Sequence, residues 1–221
     1  MTEDLTQFLL PRRLERMKEV LEKRTEQVTL VLDQVHHEHN VSAVLRSADA
    51  FGIQDVHLVG KGGKFSSGIT QGADRWLSLH RYENANETIS ALKNRDYKLV
   101  IVEPVEKDSK LKSYPIGELP FEEKIALIFG SEKQGIGEIF RSSADMATHV
   151  PMHGFVESFN ISVAAAICMF CSSISGDGRN RELPQLSEER KEKILNSWVE
   201  DDLRDAEATK RELAKKQAIS E

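Results

Sequence analysis

Apolar residues along the chain follow two spacings. VTLVL (28–32), VHLVG (56–60), YKLVIV (97–102), IALIFG (125–130) and the weaker THVPM (148–152) are short continuous runs rich in β-branched side chains. Such runs predict strands buried on both faces. Between them apolar positions recur at helical intervals near 40–51, 84–94, 137–145 and 160–174. Val41, Val44, Leu45 and Ala48, for example, fall on one stripe of a helix. This alternation predicts an α/β fold, a mostly parallel sheet with helices on both faces. Leu14, Met17, Val20 and Leu21 predict a short amphipathic helix over 11–24. From Ser187 the chain turns strongly charged, as in SEERKEKILNSW, and predicts an appended helix with a frayed tail. The organisation expected is an amino-terminal helical extension (1–27), one α/β domain (28–178) and a carboxyl-terminal helical extension (179–221).

Length and composition narrow this picture. The 221 residues (24.9 kDa) suit one sizeable α/β domain, and 39% apolar with 30% charged residues suits a packed core under a hydrated surface. A net charge of −6 argues against a generic nucleic-acid coat protein, which needs an overall basic field. The charge is uneven, however. Six cations face three glutamates between Pro11 and Arg24, whereas residues 31–178 carry fourteen cations and nineteen anions. A localised phosphate contact and a merely solvated helix face both fit that basic segment. No apolar run approaches the length of a membrane span, and no secretory leader pattern opens the chain, so a cytoplasmic location is expected. Cys168 and Cys171 are the only cysteines; they lie on the apolar side of a predicted helix and read as core.

In a parallel sheet, ligands bind where strands run into helices. Three such places carry unusual residues. In HHEHNVSAVLRSADAFG (36–52) Asn40 stands at a predicted helix N-cap, and Arg46 lies off the buried stripe beside Ala43 and Ala50. A guanidinium between small side chains leaves room for a ligand, although taken by itself a surface salt bridge is the favoured account. The three nearby histidines lack partners at metal-ligand spacing, so no metal is expected. In IFGSEKQGIG (128–137) a strand enters a glycine-rich turn that carries Glu132 and lacks the lysine–hydroxyl ending of a phosphate loop; GKGGKF (60–65) fails the same test. In VPMHGFVESFNISVAAAICMF (150–170) a turn through Gly154 leads to Ser158, Phe159 and Asn160 at the head of a helix.

Taken in order, these stretches resemble the SpoU group of knotted RNA 2′-O-ribose methyltransferases. The resemblance rests on Asn40, Ala43, Arg46 and Ala48; on Gly130, Glu132 and Gly135; and on Pro151, Gly154, Ser158 and Asn160 followed by SVAAA. TLVLDQVHHEHNVSAVLRSADAFGI, QGADRWL and the amino-terminal arginine helix are similar to the branch acting on a D-loop guanosine of tRNA, position 18. The resemblance implies a trefoil knot at the carboxyl end of the domain and a homodimer with shared active sites. It implies S-adenosyl-L-methionine as cofactor, held by Val102, Glu103, Gly130, Val150, Met152 and Phe159. Arg46 would be the central catalytic residue, supported by Asn40, Glu132, Ser158 and Asn160. Arg13, Arg16 and Arg24 would contact tRNA phosphates. Ribosomal RNA as the substrate, or a knotted RNA-binding protein without catalysis, are the alternatives.

Overall fold

The structure is a computed structural model that describes residues 9–104, 111–174 and 178–219. Seven strands, β1 (Val28–Asp33), β2 (Asp55–Val59), β3 (Ser78–Tyr82), β4 (Lys98–Val102), β5 (Ser113–Pro115), β6 (Ile125–Phe129) and β7 (Met146–His149), form one sheet in the order β3-β2-β1-β6-β4-β7-β5. Every pairing is parallel. The helices are α1 (Pro11–Leu21), α2 (Glu38–Ala50), α3 (Ser67–Thr70), α4 (Ala85–Lys93), α5 (Glu138–Ser143), α6 (Ile161–Ser173) and α7 (Glu188–Ile219).

The period-2 alternation of β1 divides the core. Leu30 and Leu32 point to one side, where they join Val44 and Leu45 of α2 and Ala165 and Cys168 of α6. Val31 points to the other, with Leu92 of α4 and Phe140 of α5. Each of these large side chains, removed from water, contributes about 1.5–3 kcal/mol. The central strands β1, β2 and β6 are buried along their whole length, hence their mostly apolar runs, interrupted by the buried polar residues Thr29, Asp33, Asp55 and His57.

The edges differ from expectation. SLHRY at β3 and SYP at β5 were not predicted as strands; both are edge strands, half-exposed, so neither carries an apolar run. The last predicted strand starts two residues earlier, at Met146, and stops before Pro151, whose nitrogen has no proton to give to a ladder. Helix α1 ends at Leu21 rather than 24, because Thr25 N–H donates to Gly52 O at 2.9 Å and turns the chain toward β1.

The chain divides into two compact units: Thr25–Pro184 forms one, and the segments before and after it form the other. In the terminal unit α1 packs against α7, with Met17, Leu21, Ile194 and Trp198 buried. Glu22 pairs with Lys191 at 2.7 Å and Arg13 with Asp202 at 2.8 Å. Helix α7 runs on to Ile219, where a frayed tail was expected. No helix among the described residues is long and apolar enough to cross a membrane.

Candidate active site

Strands β6, β4 and β7 lie side by side and end at the same edge of the sheet. The segments that leave them enclose a cavity of about 570 Å³, the size of a nucleoside-bearing ligand. Val102, Glu103, Gly130, Val150, Met152 and Phe159 all line it, and so do Glu132, Ser158 and Asn160. Residues scattered over sixty positions of sequence are thus brought to one place by strand order.

The turn after β6 needs a glycine at its first position. A Cβ on Gly130 would lie 2.1 Å from the Gly135 carbonyl carbon, 2.2 Å from its oxygen and 2.3 Å from Ile136 N. That close approach lets Ser131 and Gly135 exchange backbone hydrogen bonds of 3.1 and 2.9 Å. The buried Asp33 carboxylate at the end of β1 secures the far side, accepting from Gly137 N–H at 2.8 Å. Its burial raises the carboxyl above its ordinary range, and the Gly137 bond partly offsets this.

Asn40 was expected as the N-cap of α2. The helix instead begins at Glu38 with His37 as cap, and Asn40 N–H already donates to His37 O at 2.9 Å. Its side chain is therefore free to bridge. Asn40 Nδ2 donates to Glu132 Oε1, and Asn40 Oδ1 accepts from Asn160 Nδ2 at 3.1 Å. Asn160 Oδ1 in turn caps α6, accepting from Ser162 N–H at 2.9 Å. One chain of amides and a carboxylate thus ties α2, the turn after β6 and the head of α6 together. Glu132 thus meets an asparagine here.

Arg46 is exposed on α2 and does not line the cavity. Among the described residues its guanidinium makes no hydrogen bond or ion pair, so the salt-bridge reading of it lapses. Ser158 is exposed on the segment after β7.

The three amino-terminal arginines diverge. Arg16 is exposed and pairs with Glu19 at 3.1 Å. Arg13 is engaged by Asp202, which raises its already high pKa. Arg24 is 1% exposed, its guanidinium 5.7 Å from the centre of the Trp198 ring. Its expected phosphate contact is corrected on that ground, since a buried guanidinium stacked on an indole cannot reach a phosphate.

Two cavity residues went unforeseen. Arg141 Nη1 pairs with Glu103 Oε2 at 2.7 Å, and its Nε–H donates to Ile136 O at 3.1 Å. His149 ends β7 with its Nδ1 3.2 Å from Ser113 Oγ. Neither stood in a recognisable pattern, because their partners lie 38 and 36 positions away. Burial pushes the Cys168 thiol up to about 12, with Cys171 adding to the effect, so it supplies no thiolate near neutrality. Among the described residues no cluster of side chains is arranged to hold a metal ion.

A family model described as the SpoU rRNA methylase family matches residues 27–170, which span the sheet and the cavity. The chain belongs to this family. Among SpoU relatives, a tRNA (guanosine(18)-2′-O)-methyltransferase of Aquifex aeolicus is 32% identical over 200 residues, covering 89% of this chain and 92% of its own. The crystal structure of an A. aeolicus TrmH/SpoU tRNA-modifying enzyme superposes with a TM-score of 0.74 at 32% identity, over 86% of this chain and 96% of that one. The SpoU methyltransferase AviRb of Streptomyces viridochromogenes, solved with the cofactor AdoMet, shares the fold at 19% identity, with a TM-score of 0.58 over 70% of this chain and 62% of its own.

Proposed function

We propose that the protein is a cytoplasmic, homodimeric, S-adenosylmethionine-dependent tRNA 2′-O-methyltransferase acting on guanosine 18. The observation that carries this reading is the union of the Asn40–Glu132–Asn160 bridge with the cavity beside it, in a chain that aligns with A. aeolicus tRNA (guanosine(18)-2′-O)-methyltransferase almost end to end. The cavity fits the cofactor in size and in its mixture of apolar walls with the Glu103 carboxylate and backbone groups. When bound, S-adenosylmethionine supplies an electrophilic methyl group. Val102, Glu103, Gly130, Val150, Met152 and Phe159 would hold it. A trefoil knot made by the segments after β6 and β7 goes with this reading through the family resemblance.

A ribose 2′-hydroxyl is a weak nucleophile and must shed proton density as its oxygen attacks. Arg46 answers that need electrostatically. A guanidinium is a poor base near neutrality, but it stabilises an alkoxide as it forms. Among the described residues it has no hydrogen-bond or ion-pair partner, which leaves its donors available to substrate. Asn40, Glu132 and Asn160 position the surrounding backbone, and Ser158 borders the substrate side. Dimerisation is supported by Phe155, Val156, Val163 and Phe170, which lie exposed on the segment after β7 and on α6.

Arg46→Ala tests the assignment. The side chain is exposed, so the variant should fold and bind S-adenosylhomocysteine as the wild type does. Methyl transfer to unmodified tRNA should fall by at least about a hundredfold. Retention of most of the single-turnover rate would remove Arg46 from catalysis. Offering ribosomal RNA fragments beside tRNA, with ribose-methylation mapping, separates the two substrate classes.

A further inference from the structure

We infer that the loop after β2, residues 60–66, is a rigid phosphate-binding platform for the RNA strand that enters the active site, with Lys61 and Lys64 as its cations. This rests on the tRNA-methylating function proposed above. The loop is rich in glycine yet matches no phosphate-loop pattern, and the catalytic machinery makes no use of it.

Its backbone is fixed at several points. Gly60 N–H donates to Tyr82 O at 2.9 Å, and Gly63 N–H donates to Val35 O at 2.9 Å. Gly62 lies directly against the backbone after β1, where a Cβ would sit 2.5 Å from Val35 O and 2.9 Å from Val35 N. Arg81 braces the loop from β3: its Nη1 donates to Gly63 O at 3.3 Å while its guanidinium stacks 5.6 Å from the Phe65 ring centre. Finally Ser66 N–H donates to Ser42 Oγ at 3.0 Å. Ser42 stands one helical turn before Arg46 on α2, and helical side chains lean toward the amino-terminal turn. The loop and Arg46 therefore share one border of the sheet.

From this fixed backbone Lys61 and Lys64 project into solvent, and neither makes a hydrogen bond or ion pair among the described residues. Charge singles out the same stretch. Residues 60–81 hold Lys61, Lys64, Arg75 and Arg81 against Asp74 alone, within a domain that is otherwise acidic. The Asp74 carboxylate is occupied by the hydroxyls of Thr70 and Ser67. Two unpaired ammonium groups on an immobile loop lose little freedom when they meet a polyanion, and phosphate is the anion repeated along the substrate.

The test compares full-length wild-type protein with Lys61→Ala/Lys64→Ala, titrating unmodified tRNA across a salt series. Each phosphate contact adds roughly 0.7–0.9 to the slope of log affinity against log salt, so the double variant should lose about 1.4–1.8 from it. Its affinity at about 150 mM salt should drop roughly tenfold, by the same counterion argument. Calorimetric binding of S-adenosylhomocysteine and the melting temperature should not move. Lys98→Ala/Lys112→Ala, a charge-matched pair of exposed lysines at the amino-terminal ends of β4 and β5, should keep the wild-type slope. An unchanged slope in the first variant, or an equal loss in the second, overturns the platform. Wild-type protein that neither binds nor methylates tRNA would instead overturn the proposed function and the platform together.

Discussion

Gly130→Ala should disable the cofactor cavity while sparing the fold. The added methyl carbon would sit 2.1–2.3 Å from three backbone atoms of the Gly135–Ile136 peptide, against an ordinary carbon contact of about 3.5–4.0 Å. No rotamer relieves this, because both parties are main chain, so the peptide must retreat by more than about 1 Å. That retreat breaks the reciprocal Ser131–Gly135 hydrogen bonds of 3.1 and 2.9 Å. At about 0.5–1.5 kcal/mol apiece the local cost is roughly 1–3 kcal/mol, below the 5–15 kcal/mol typical of a whole domain. The sheet should survive, since β6 ends at Phe129. The cavity should not, because Gly130, Ser131, Gly135 and Ile136 all line it. Calorimetry should show S-adenosylhomocysteine affinity reduced by about ten- to a hundredfold, equivalent to about 1.4–2.8 kcal/mol, with cooperative thermal unfolding retained. Gly154→Ala is the matched control: it too is a glycine of the family's patterns, yet a Cβ there meets nothing within 4 Å. Affinity within twofold of wild type in Gly130→Ala, or equal losses in both variants, would refute the steric argument.

Stability should also respond to acid through His57. This side chain is 1% exposed, and burial, with His80 beside it, pulls its pKa from 6.5 down to about 3. The folded value lies below the unfolded one, so stability is full above pH 6.5 and declines as pH falls from there toward 3. At pH 5 the loss from this group is about 2 kcal/mol. Unfolding free energies from urea titrations at pH 7.5 and 5.0 should diverge by that much more in wild type than in His57→Gln, and equal divergence would exclude His57 as the source. Sedimentation of the wild type at micromolar concentration should reveal a dimer that Phe155→Ser/Phe170→Ser dissociates; a wild type found only at 24.9 kDa would count against the exposed apolar face as an interface.

The sequence alone determined the features that depend on a residue and its near neighbours. A strand covered on both faces is mostly apolar, so β1, β4 and β6 announce themselves as runs, and the stripe of Val41, Val44, Leu45 and Ala48 marks α2 in the same way. The polar loops that follow those strands stand out because nothing in a core would require Glu132, Asn160 or Arg46 where they are. Tertiary structure decided whatever needs a distant partner. Strand β6 enters between β1 and β4, and this insertion brings Gly130 and Glu132 to Asn40; no local pattern encodes it. Edge strands β3 and β5 carry half-polar sequences because one neighbour is missing. Arg24 looks like its exposed neighbours in sequence but lies beneath Trp198, 174 positions away. Gly130 and Gly154 both belong to the family's patterns, and only the backbone that packs against one of them makes it indispensable. The Arg141–Glu103 pair and the braced lysine loop have the same origin: electrostatics and steric exclusion act over a few ångströms, and the fold sets which residues come within that range.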